Sequence, residues 1–168
     1  MSASIARNAD SFNAESFGRG VLLREGQALI DQSKSLSGTA FTAALDLILG
    51  CQGRVIVAGM GKAGIIGKKL TATLASTGTC SHFVHPAEAF HGDLGRFHET
   101  DIAIILSRSG ETEEISKILP SLADSTIPII AITENPHSAL AAAAQVVLDL
   151  GKSDEACPLG LAPSTSTT

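Results

Sequence analysis

The chain has 168 residues, of which 44% are hydrophobic and 17% charged, so it is long enough to bury a core and too apolar to be disordered. The formal net charge is −5 and lysine and arginine are scattered, which argues against a nucleic-acid partner. The three cysteines show neither a zinc-ligand spacing nor a disulfide framework, and no apolar run suits a signal peptide or a membrane span, so a reducing cytoplasm is the expected location.

The N-terminal third predicts two helices. Residues 1–10 are small and polar and predict a flexible tail, which leaves residues 11–168 as one domain. Apolar residues recur at helical spacing over residues 11–36 and predict a long amphipathic helix, which would cover its own sheet or a partner subunit. A second amphipathic helix is predicted from Ser37 to Gly50.

After Gly50, short apolar runs alternate with helical patterns. Strands are predicted at residues 54–58, 80–85, 102–106, 128–133 and 146–150. Strands that alternate with helices predict an α/β fold with a parallel sheet and right-handed crossovers. The chain ends in a run of serine and threonine at residues 164–168, which is typical of a helix start, and this pattern indicates a fragment of a longer protein.

A glycine-rich turn follows the first predicted strand. Gly59, Gly61 and Gly64 match G-x-G-x-x-G between a strand and a helix, the context of a dinucleotide-binding fingerprint. That fingerprint also needs an acid at the end of the second strand, where this chain has His85 and Pro86. The glycines therefore favour a tight turn with close helix–sheet packing. Lys62 lies either toward the ligand crevice or in solvent.

A hydroxyl-rich turn, SRSGETEE at residues 107–114, follows the third predicted strand. Gly110 allows a sharp turn, and Ser107, Ser109 and Thr112 cluster at the start of the next helix. Helix N-termini at the carboxyl ends of parallel strands carry unpaired N–H groups that suit a phosphate. The turn alone supports equally a phosphate site and a capped helix without a ligand.

Four segments together resemble the sugar isomerase (SIS) domain of D-arabinose 5-phosphate isomerases: GMGKAG (59–64), HPAEAFHGDLG (85–95), SRSGETEE (107–114) and EACPLGLAP (155–163). The resemblance covers about residues 20–168. It implies a three-layer α-β-α sandwich with a five-stranded parallel sheet. It also implies the interconversion of D-ribulose 5-phosphate and D-arabinose 5-phosphate, which supplies the Kdo sugar of lipopolysaccharide.

The resemblance also implies roles for individual residues. Ser107, Ser109 and Thr112 would hold the phosphate. Lys62, Glu114 and Glu155 would line the reacting end of the sugar with His91 nearby, and Gly61 and Gly110 belong to the substrate-binding loops. The family often has Asn where this chain has Arg108, and its members continue with a helix, another active-site histidine and often a pair of CBS modules. These departures put the activity of this chain in question more than its ancestry.

Aldose–ketose isomerisation needs a base and a group that stabilises the developing oxyanion. Glu155 is the expected base, with a pKa raised by burial beside the sugar, Lys62 serves the oxygens, and Glu114 supports that end of the site. No cofactor is expected, and a divalent metal at His85 and His91 is left open. A homo-oligomer is expected, with the site near a subunit boundary.

Two further functions are weighed against the isomerase. A non-catalytic module that binds a phosphosugar as a regulator would keep the hydroxyl turn but would not need Lys62, Glu114 and Glu155, all of which are present. A dinucleotide enzyme ranks third, and failure to bind NAD would exclude it. The isomerase therefore leads.

Overall fold

The computed structural model describes residues 13–168, and within this part the chain forms six helices, five strands and two short 3₁₀ turns. The helices are α1 (Ala14–Ser35), α2 (Gly38–Gly50), α3 (Gly61–Ser76), α4 (Pro86–Ala89), α5 (Glu113–Asp124) and α6 (Ala139–Ala143). The strands are β1 (Val55–Gly59), β2 (Ser81–Val84), β3 (Ile102–Leu106), β4 (Ile129–Thr133) and β5 (Val146–Asp149). The 3₁₀ turns are Asp93–Arg96 and Thr165–Thr167.

The strands form one parallel sheet in the order β2-β1-β3-β4-β5. β1 and β3 are its central strands and are buried along their whole length, as their unbroken apolar sequences predict. The order reverses between β1 and β3, because the chain runs from β1 outward to β2 and then returns to the other side of β1. Ligands of open α/β sheets bind at such a reversal, beyond the carboxyl ends of the strands.

Helices cover both faces of the sheet, which confirms the predicted three-layer sandwich. On one face, α5 buries Ile115, Ile118 and Leu122 against a core that also contains Leu140 of α6. On the other face, Ala44 of α2 joins a second core, against which α3 packs its partly buried apolar residues. The two cores fix the sheet between rigid helices, so the loops at its carboxyl edge start from a firm support.

The first helix lies apart from both cores. α1 matches most of the predicted helix, and its beginning and the predicted tail lie outside the described residues. No residue of α1 is buried, and Leu22 and Leu23 are 70% and 73% exposed. Its polar links to the rest of the chain run from Arg24 to the carbonyl of Glu155 (3.1 Å) and from Gln32 to the carbonyl of Asp149 (3.0 Å).

The structure differs from the predictions mainly in short elements. Helix α4, which begins with Pro86 in its first turn, and the 3₁₀ turn after it were not predicted, because four-residue helices carry too little periodicity to detect. The C-terminal hydroxyl run forms the turn Thr165–Thr167. Over residues 13–168, none of the helices combines the length and apolarity that a membrane crossing requires.

Candidate functional site

A cleft of about 980 Å³ opens at the carboxyl edge of the sheet. Its lining comes from the ends of β1, β3, β4 and β5 and from the C-terminal segment, so it lies at the reversal of strand order. Five of the residues that the sequence singled out line this cleft: Lys62, Ser107, Ser109, Thr112 and Glu155. The structure thus brings together the lysine after β1, the hydroxyl turn after β3 and a carboxylate after β5.

The hydroxyl turn connects β3 to α5. The Ser107 and Thr112 hydroxyls are 2.9 Å apart, and Ser107 Oγ also accepts a hydrogen bond from the Gly110 amide at 3.1 Å. Ser109 is exposed, and its Oγ accepts from the Glu111 amide at 3.2 Å. Thr112 is the N-cap of α5 but gives it no side-chain cap, so the first amides of the helix keep their capacity to donate to a ligand.

Glycines shape the loops around the cleft without lining it. Gly110 has φ +66°, and a Cβ there would lie 2.0 Å from Ser138 Oγ, so this position fastens the hydroxyl turn against the start of α6. Gly61 has φ +53° and open space around it. A Cβ on Gly64 would lie 2.5 Å from the Gly59 carbonyl oxygen, which agrees with the interpretation that the glycine-rich turn serves close helix–sheet packing.

Glu155 is held by many donors. Its side chain is 8% exposed and accepts hydrogen bonds from the Ser164 amide (2.7 Å), the Ser164 hydroxyl (3.1 Å), the Ser166 amide (3.4 Å) and the Ser166 hydroxyl. Burial raises the pKa of this carboxyl, but the bonds from Ser166 and Ser164 outweigh burial and lower it to about 2. The expectation of a raised pKa is therefore wrong for this arrangement, because sequence could not show that the C-terminal hydroxyl run folds back onto Glu155.

Arg108 joins the carboxylates at the edge of the cleft. Its Nε lies 2.9 Å from Glu134 Oε2 and its Nη1 lies 3.0 Å from Glu155 Oε1. The hydrogen bond to Glu134 raises the pKa of Arg108 from its ordinary value. Glu134 was not predicted as a site residue, although it directly follows β4, where the rule that located the other loops also applies. Asp149, the last residue of β5, lines the cleft for the same reason.

Two predicted catalytic residues do not line the cleft. Glu114 is half-buried in the first turn of α5, and His91 is exposed just after α4. Conversely, His137, Ser166 and Thr167 line the cleft without having been predicted to do so. Among residues 13–168, no group of three or more His, Cys, Asp or Glu side chains is arranged to hold a metal ion.

Comparisons with known proteins agree with this site. The model of the SIS domain matches residues 48–168. The chain is 53% identical over 150 residues to the arabinose 5-phosphate isomerase KpsF of Escherichia coli, covering 89% of this chain and 47% of that protein. It is 52% identical over 139 residues to the arabinose 5-phosphate isomerase KdsD of Pseudomonas aeruginosa, covering 83% of this chain and 43% of that protein. The chain thus spans about half the length of the curated relatives it matches.

A solved structure shows the same fold with a ligand. E. coli CFT073 c3406, solved in complex with a phosphosugar, superimposes with a TM-score of 0.86 at 39% identity, covering 93% of this chain and 84% of that chain. The strand order, the hydroxyl turn at the start of α5 and the match of the family model over residues 48–168 lead to one conclusion: the chain belongs to the SIS-domain family.

Proposed function

We propose that this chain is the SIS domain of an aldose–ketose isomerase that interconverts D-ribulose 5-phosphate and D-arabinose 5-phosphate. The observation that carries the proposal is the convergence of the hydroxyl turn, Lys62 and Glu155 on one cleft. The relatives that match most of this chain are named arabinose 5-phosphate isomerases, and c3406 was solved with a phosphosugar bound. A product of this kind would enter Kdo and lipopolysaccharide synthesis, in the cytoplasm.

The phosphate of the sugar would bind at the hydroxyl turn. Ser107, Ser109 and Thr112 offer three hydroxyls at the N-terminus of a twelve-residue helix. Its first amides and its dipole both favour an anion. Ser107 and Thr112 already bond to each other, whereas Ser109 projects from an exposed position. Ser109 is therefore the hydroxyl that can turn to a ligand with the least disturbance of the turn.

The carbon skeleton would extend from the phosphate toward Lys62 and Glu155. Lys62 is exposed at the start of α3, and its ammonium would stabilise negative charge on the sugar oxygens as the enediolate forms. One carboxylate has to take the proton from carbon and return it to the neighbouring carbon. Glu155 lines the cleft and Glu114 does not, so Glu155 remains the proposed base.

Glu155 can act as a base only after it loses some of its donors. With a pKa of about 2 it is a poor proton acceptor while Ser164 and Ser166 hold it. The proposed reaction therefore includes a movement of the loop after β5 or of the C-terminal turn when the sugar binds. Glu114 and His91 would take part only after a rearrangement, or through a neighbouring subunit.

The direct test is to incubate the chain with ribulose 5-phosphate and to look for arabinose 5-phosphate. Lys62→Met should abolish product formation, and Lys69→Met, on the exposed side of the same helix, is the control. Deuterium exchange from solvent into the sugar should stop in Glu155→Gln while sugar binding persists. If exchange instead survives in Glu155→Gln and stops in Glu114→Gln, the roles of the two carboxylates are reversed.

The phosphate assignment has its own test. Ser109→Ala should weaken the binding of ribulose 5-phosphate several-fold, because a hydrogen bond to a charged acceptor contributes roughly 1.5–3 kcal/mol. Calorimetry measures the affinity, and Ser76→Ala, at the far end of α3, is the control. An unchanged affinity in Ser109→Ala would remove this residue from the phosphate site.

A second candidate function is a regulatory module that binds a phosphosugar without turnover. The saturated, low-pKa state of Glu155 favours it, since the cleft as it stands presents this carboxylate with no free proton-accepting role. Such a module would bind ribulose 5-phosphate in the calorimeter yet catalyse neither product formation nor deuterium exchange. The same two measurements therefore separate the candidates.

A further inference from the structure

The side chain of Arg108 makes contacts in three directions. Nε meets Glu134 Oε2 at 2.9 Å, Nη1 meets Glu155 Oε1 at 3.0 Å, and Nη2 meets the Ser153 carbonyl oxygen at 3.4 Å. A guanidinium presents its donors in a fixed planar fork, so one arginine can hold separate acceptors simultaneously. A lysine has a single ammonium at the end of a flexible stem and cannot reproduce this spread.

The backbone of Arg108 is fixed as well. Its carbonyl oxygen accepts hydrogen bonds from the Glu134 amide at 3.0 Å and from the Thr133 hydroxyl at 3.1 Å. Thr133 is fully buried at the end of β4. The side chain therefore starts from a rigid point, and its contacts connect the turn after β3 with the residue after β4 and with the loop after β5.

The two carboxylates differ in how much they depend on this arginine. Glu155 keeps the donors from Ser164 and Ser166 if Arg108 is removed. The other oxygen of Glu134, Oε1, is buried without a hydrogen-bond partner, and its side chain is 11% exposed. Exposed ion pairs contribute little, but these acids are both nearly buried, so their charges are poorly screened.

The ion pairs lie beside the turn that would receive the phosphate. Without Arg108, the charges of Glu134 and Glu155 would face each other and an incoming phosphate dianion with no cation between them. We propose, on the basis of the function proposed above, that Arg108 is a positioning residue of the cleft: it holds the loop after β5 over the site and neutralises the two acids so that a phosphosugar can bind.

The first measurement needs no sugar. Amide hydrogen exchange over residues 151–163 should be roughly tenfold faster in Arg108→Gln, because the loop loses both its carboxylate and its carbonyl contact. Arg96→Gln is the matched control, since Arg96 has a similar exposure but pairs with the more exposed Asp93 one helical turn away. Unchanged exchange in Arg108→Gln would overturn the positioning role even if no sugar binds, so this result is separable from a failure of the proposed function.

The second measurement is the affinity for ribulose 5-phosphate by calorimetry. Arg108→Gln should weaken binding roughly tenfold or more, because it leaves two unpaired acids near the phosphate. The double variant Arg108→Gln/Glu134→Gln should recover part of that loss, which a purely structural role would not give. Arg108→Lys, which keeps the charge if the glutamine variant fails to fold, should restore affinity only in part. Equal affinity in Arg108→Gln and wild type, or no recovery in the double variant, would overturn the proposal.

Discussion

Single residues decide the electrostatics of this cleft, and Glu155 is the clearest case. It accepts bonds from two serines that lie nine and eleven positions further along the chain, and it is ionised down to a pKa of about 2. A folded-state pKa below the ordinary 4.5 stabilises the fold above pH 4.5, and this contribution is lost as the pH falls toward 2.

This linkage predicts a pH-dependent stability. The free energy of unfolding of the wild-type chain should fall between about pH 5 and pH 2, with Glu155 responsible for at most about 3 kcal/mol of the change. Urea unfolding at several pH values measures it. Glu155→Gln should be less stable at pH 7 and should show a shallower slope below pH 5, whereas Glu99→Gln, on the exposed surface, should keep the wild-type slope. Parallel slopes for wild type and Glu155→Gln would contradict the assignment.

The sequence predicted several site residues because their positions follow from local patterns. Ser107, Ser109 and Thr112 were found from a turn between a strand and a helix, and Lys62 from a turn after a strand. The cluster of Arg108, Glu134 and Glu155 could not be predicted in this way. Arg108 and Glu155 are separated by 47 positions, so their contact depends on the strand order and on the path of the last loop.

At the scale of elements, the hydroxyl turn keeps its shape through its contact with α6. The Gly110 carbonyl oxygen accepts from the Leu140 amide at 3.2 Å, and the missing Cβ of Gly110 makes room for Ser138. Ser138 is buried and caps α6 through a bond from the Ala141 amide at 3.2 Å. The turn that would hold the phosphate therefore rests on a second helix start.

Gly110→Ala tests this contact. The substitution adds a positive-φ penalty and a clash with Ser138, so we expect a loss of stability of roughly 2 kcal/mol or more. Gly151→Ala is the matched control: Gly151 has φ +64° but nothing within 4 Å of its Cβ position, so only the backbone penalty applies. Urea unfolding compares the two, and an equal loss in both variants would show that the clash with Ser138 is relieved at no cost.

Elements with strong patterns were predicted well, and short ones were not. β3 was predicted with its observed bounds because its apolar run is bordered by polar residues on both sides. The predicted bounds of β1, β2, β4 and β5 differ by one or two residues, since strand ends depend on pairing with neighbours. Helix α4 and the turn Thr165–Thr167 are held by tertiary contacts, which a single sequence does not display.

At the scale of the whole molecule, α1 is the part that its own chain leaves least covered. It has no buried residue, although its sequence carries apolar side chains at helical spacing. Leu22, Leu23 and Leu29 are more than half exposed, and Leu49 of α2 is 81% exposed. Exposed apolar surface on this scale is characteristic of protein–protein contacts. Arg24 of α1 meanwhile contacts the loop of Glu155, so this surface is connected to the cleft.

We therefore predict a homo-oligomer in which a second copy of this chain covers α1, with the site close to the subunit boundary. Light scattering at micromolar concentration should give a mass of at least two chains. Leu22→Gln/Leu23→Gln should shift the mass toward one chain, and it should also weaken sugar binding, because α1 would no longer support the Glu155 loop through Arg24. Ile65→Gln, which replaces a residue of α3 that is 64% exposed, is the control and should keep the wild-type mass. A wild-type chain of single-chain mass would exclude the assembly, and an unchanged mass in the leucine variant would place the contact elsewhere.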